Sequence, residues 1–61
     1  MDFALIRELA DLKMELPVLI YKGMEIDELE AKAILKAWAE ETMTIREMHR
    51  RAKALVEKGN S

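Results

Sequence analysis

Arg46, Arg50 and Lys53 recur at intervals of four and three, so on a helix they share one face with His49. That combination could contact phosphate, because cations on one face are the expected footprint of nucleic-acid binding. The charge distribution sharpens the idea. Residues 1–43 hold five basic and ten acidic side chains, a net of −5. Residues 44–61 hold five basic and two acidic ones, a net of +3, and together they make the −2 of the chain. A basic last helix after a tight turn has the outline of the second helix of a helix-turn-helix DNA reader. Two things oppose this reading. The acidic remainder would repel a duplex, and cations near a helix C-terminus also serve to complement its dipole, which accounts for Arg51, Lys53 and Lys58. His49 lies among cations that discourage both a second proton and a bound metal, and reads as a half-exposed helix histidine.

Other chemistry is sparsely provided. There is no cysteine, which excludes disulfides and thiolate metal sites. No glycine-rich loop is present to cradle phosphate. Glu28 with Lys32 and Glu47 with Arg51 are ordinary helix-surface pairs four apart. No catalytic residue, metal ligand, cofactor or small-molecule substrate is expected, and the chain is not read as an enzyme.

The apolar residues say more. Ile34, Trp38, Ile45, Met48 and Leu55 form the candidate protein interface, with Trp38 large enough to anchor a contact between subunits. Met14, Met24, Met43 and Met48 are adaptable side chains suited to a partner surface. A domain of 61 residues buries only about 60% of the surface of its unfolded chain. With no disulfide or metal to help, association is the expected way to complete the core.

The elements that position these residues are helical. Hydrophobic residues make up 51% of the chain and charged ones 36%, with two Gly and one Pro, a composition that favours an all-α fold. Leu5, Leu9, Leu12 and Leu16 form one stripe behind a cap at Asp2. Pro17 predicts a break or a kink there and a short second helix, ended by Gly23 in a left-handed conformation with Met24 folding back. A strand through Val18–Tyr21 competes with that reading but has no second run to pair with. Asp27 with Glu30, and Thr44 with Glu47, have the spacing of capping boxes. Thr42 and Thr44 favour a turn there over one long helix from Asp27 to Lys58.

The expectation is thus an all-α single domain over residues 1–61. It is a small bundle of three to four short helices (about 3–15, 17–22, 28–41 and 45–58), completed by homodimerisation, with the last two or three residues disordered. No segment has the basic start and apolar run of a signal peptide or the roughly 20 apolar residues of a membrane span, so the expected location is cytoplasmic. The stretch Ala33–Met48, with Trp38, Met43-Thr44 and Glu47-Met48, is similar to the helix–turn–helix hook of small bacterial anti-repressor proteins. That resemblance covers about a quarter of the chain and implies a regulator that acts by protein contact. The functional expectation is a protein-interaction module, a homodimeric regulator that binds a partner protein. The alternative is a DNA-binding regulator using Arg46, His49, Arg50 and Lys53, and a structural subunit of a phage particle or larger complex is a further one.

Overall fold

A computed structural model describes residues 2–60. The described residues form three helices, α1 (Phe3–Met24), α2 (Glu28–Glu40) and α3 (Ile45–Gly59), and contain no strand. Each helix packs against both others. The single core is made of Leu16 and Ile20 from α1, Ala31, Ile34 and Ala37 from α2, and Met48, Ala52 and Leu55 from α3.

Every helix start is set by a side chain reaching three residues ahead. Asp2 accepts from the Leu5 amide, Asp27 from the Glu30 amide and Thr44 from the Glu47 amide, each at 3.2 Å. These caps satisfy amides that the first turn cannot pair. The reciprocal half of the capping box is not made at Asp27, whose own amide donates to the Gly23 carbonyl at 2.9 Å.

The expected break at Pro17 is absent, because α1 runs unbroken through it. A proline inside a helix costs about 3 kcal/mol. Leu16 and Ile20 flank it and are both buried, and hiding each contributes about 1.5–3 kcal/mol. Splitting the helix would disturb the seating of both, a combined loss of about 3–6 kcal/mol, so packing wins. The segments 3–15 and 17–22 are therefore one helix. Gly23 also departs from its expected role. It has no positive φ and lies buried inside α1, where an added Cβ would stand 2.7 Å from Leu55 Cδ2. Close approach of α1 to α3, not a left-handed turn, is what requires glycine there.

The left-handed residue is instead Glu41, at φ 56° and ψ 35°. The Glu41 amide donates to the Trp38 carbonyl at 3.2 Å and the Thr42 amide to the Ala37 carbonyl at 3.0 Å, the bond pair of a Schellman motif. This ends α2, and Thr44 then starts α3, so the stretch from Asp27 to Lys58 is two helices. The expected end of the chain is also resolved in part: α3 continues to Gly59 with Asn60 as its cap, and Ser61 lies outside the described residues.

Candidate functional site

Three of the four residues on the basic face of α3 meet carboxylates. Arg46 reaches across to α1, where its Nη2 donates to Glu8 Oε2 at 3.2 Å. His49 Nε2 lies 2.8 Å from Glu15 Oε2, also on α1. Arg50 donates to both oxygens of Glu47, and Arg51 Nε donates to Glu47 Oε1 at 2.9 Å. The hydrogen bond from Arg50, then that from Arg51, holds the Glu47 carboxyl at about 2, well below its ordinary 4.5. Its carboxylate in turn raises Arg50 above the usual arginine range. Of the four residues expected to meet phosphate, the fold therefore turns Arg46 and His49 toward acidic residues of α1 and fastens Arg50 to its own helix, while Lys53 stays exposed. The sequence separates Glu8 from Arg46 by 38 positions, which is why spacing alone did not reveal that Arg46 and His49 meet carboxylates of α1.

The expected protein interface is mostly consumed by the chain itself. Ile34, Met48 and Leu55 are buried in the core, and Trp38 and Ile45 are partly buried against it. These residues fill the gap between three helices of one chain and leave little for another. Trp38 and Ile45 retain some access. They line an open cleft of about 280 Å³ together with Lys13, Glu41, Met43, Thr44 and Met48, at the end of the bundle where α2 passes to α3. A second cleft of similar volume collects Asp27, Glu30, Arg50, Arg51 and Lys58 beside Leu55. Among the described residues, no group of three or more His, Asp or Glu side chains could hold a metal ion. No helix is long and apolar enough to cross a membrane.

Most of the apolar surface that remains open lies elsewhere, on α1, although Leu29 and Leu35 of α2 and Ile26 before it are exposed as well. With 100° per residue, Leu16, Leu9 and Ile20 define the side turned to the core. On an outer flank, turned about 50° from directly opposite, stand Phe3, Ala10, Met14, Val18 and Tyr21, with Arg7 among them and the charged Asp11, Lys22 and Glu15 beyond Val18. Phe3 is 75% exposed, Met14 75%, Tyr21 71% and Val18 54%. A helix that is apolar on both sides is ordinarily covered on both, and α1 is covered on one. The signal was present in the spacing of these residues (seven, four, four and three), but the leucine stripe beside it drew the reading to the core-facing side.

The exposed area agrees. The chain exposes 4700 Å², whereas a compact monomer of its mass exposes roughly 4100 Å². The excess, roughly 600 Å², is on the scale of a few uncovered large side chains. No family model, curated protein or solved structure matches the chain, so its surface alone carries the functional argument.

Proposed function

We propose that the chain is a small helical protein-interaction module, a regulator that works by contact, with the outer face of α1 as its docking surface. One observation carries this reading: Phe3, Met14 and Tyr21 stand together on one helix face, each more than two-thirds exposed. The largest apolar patch of a soluble monomer, commonly several hundred Å², is often a site of contact. The pairing of Arg46, His49 and Arg50 with carboxylates favours this over a phosphate-binding face. The test is capture from lysate of the source with the tagged chain and with its Met14→Asp variant, after nuclease treatment. A stoichiometric protein held by the parent chain and lost with the variant is expected. Equal recovery with both chains, or recovery of nucleic acid that is shed as salt rises, would overturn the reading.

A further inference from the structure

The occupant of the outer face of α1 is open to inference, on the reading above that this face is a docking surface. We infer that it is a second copy of this chain, laid antiparallel so that the two α1 helices pair about a dyad near residue 12.

The first argument is symmetry. Read from either end, the face runs from an aromatic, through aliphatic positions, to a small residue set against a large one. Antiparallel pairing about residue 12 puts Phe3 over the partner's Tyr21 and Ala10 beside the partner's Met14, and brings Ile6, at one edge, to the level of the partner's Val18 at the other. An isologous contact requires such a palindrome, in which one patch complements itself. A different protein would impose no palindrome on the face. Ala10 leaves room for the methionine, and the end-to-end aromatic contacts are of the kind enriched in interface anchors. Arg7, the one charge on the face, lies a turn from the partner's Tyr21, within range for a cation over an aromatic ring.

The second argument is area. Phe3 and Tyr21 are 18 positions apart, which spans about 27 Å of helix. Hiding the excess of roughly 600 Å² on each copy would bury about 1200 Å² in total, the lower bound of stable, specific interfaces. The area therefore fits a small dimer interface and leaves no large surplus for a third chain.

Charge gives a signature. Asp11 lies at one edge of the face and Lys13 at the other, both close to the dyad. Antiparallel symmetry brings each near its own mate, and salt screens that repulsion. Self-association consequently tightens as salt rises, the opposite of what phosphate binding does.

The experiment is sedimentation equilibrium on the tag-free chain from about 1 µM to 1 mM, at low and high salt. The expected result is a mass approaching twice 7.1 kDa, with tighter pairing at high salt. Met14→Asp and Tyr21→Lys should each weaken it at least about thirty-fold. Both positions are exposed, so helicity measured by circular dichroism should stay at the parent level. If one variant unfolds, the other carries the comparison. Orientation is read by mixing Arg7→Cys and Pro17→Cys chains under oxidation. Antiparallel pairing gives the mixed disulfide, whereas Arg7→Cys joined to itself would overturn the arrangement.

A parent chain that stays at 7.1 kDa up to 1 mM overturns the self-pairing, as does a dimer indifferent to Met14→Asp. If that monomer still captures a protein through Met14, the docking reading survives and only the second copy is lost. If the monomer binds phosphatidylcholine vesicles through Met14 instead, the face belongs to a lipid surface and both readings fall.

Discussion

Glu41→Gly should make this protein more stable, although it replaces a side chain with nothing. Glu41 holds φ at 56° to close α2, a conformation in which a Cβ crowds the following carbonyl at a cost of about 1–2 kcal/mol. Glycine adopts it freely, but its unfolded chain is more mobile, which returns about 0.5–1 kcal/mol. The side chain is exposed, and both Schellman bonds are backbone bonds, so nothing else is lost. The net gain is about 0.5–1 kcal/mol. Unfolding entropy of about 2.1 cal/mol/K per residue over this chain converts that to a rise in Tm of about 4–8 °C. The assay is thermal unfolding followed by helical circular dichroism at fixed protein concentration, since any association would itself raise Tm. Glu41→Ala is the control, because it keeps the Cβ and should shift stability by no more than about 0.5 kcal/mol. A Tm unchanged or lowered by Glu41→Gly, or raised equally by Glu41→Ala, would refute the strain argument.

Three further outcomes follow from the packing. Gly23→Ala gains about 1 kcal/mol of helix propensity but drives a methyl to 2.7 Å from Leu55 Cδ2. Overpacking a buried leucine costs about 1–3 kcal/mol, so the denaturant midpoint should fall, and a rise would mean that Leu55 can step aside. Pro17→Ala restores a missing helical donor and should stabilise by up to about 3 kcal/mol, which urea unfolding would register as a higher midpoint with the same slope. The Glu47 carboxyl is held at about 2 by Arg50 and Arg51, below its unfolded value near 4.5. Its stabilising contribution is therefore complete above pH 4.5 and lost as pH falls toward 2. Carboxyl resonances should show Glu47 titrating near the lower value, Glu47→Gln should flatten that part of the acid-unfolding profile, and a midpoint near 4.5 would remove the clamp from the account.

Helix starts were legible because their chemistry is local: Asp2, Asp27 and Thr44 each need only an amide three residues on. The turn before α3 was legible for the same reason, through Thr44. Pro17 misled because the rule that proline breaks helices is also local, and it was outweighed by Leu16 and Ile20, whose burial depends on helices far along the chain. Gly23 misled because glycine at a helix end has two uses, and only the position of Leu55 tells close packing from a left-handed turn. The same limit governed the candidate site. Ile34, Met48 and Leu55 were recognisably apolar, but nothing local says whether such residues face their own chain or another. The partnership of Glu8 with Arg46, and of Glu15 with His49, became visible only once α1 and α3 lay side by side.

Pro17 leaves a final consequence in the cooperativity of α1. The helix is continuous in shape, yet the Lys13 carbonyl lacks the amide that would normally close its turn, and the buried residues of α1 all lie on the C-terminal side of that gap or beside it: Leu16, Ile20 and Gly23. The helix thus joins a cored half to a thinly packed one, with the weak rung between them. Opening of the N-terminal half need not disturb the core, so its amides should exchange with solvent well ahead of those from Leu19 to Gly23, as a separate low-stability unit. The half that exchanges first carries Phe3, Ala10 and Met14, and anything that binds the outer face of α1 would slow it first.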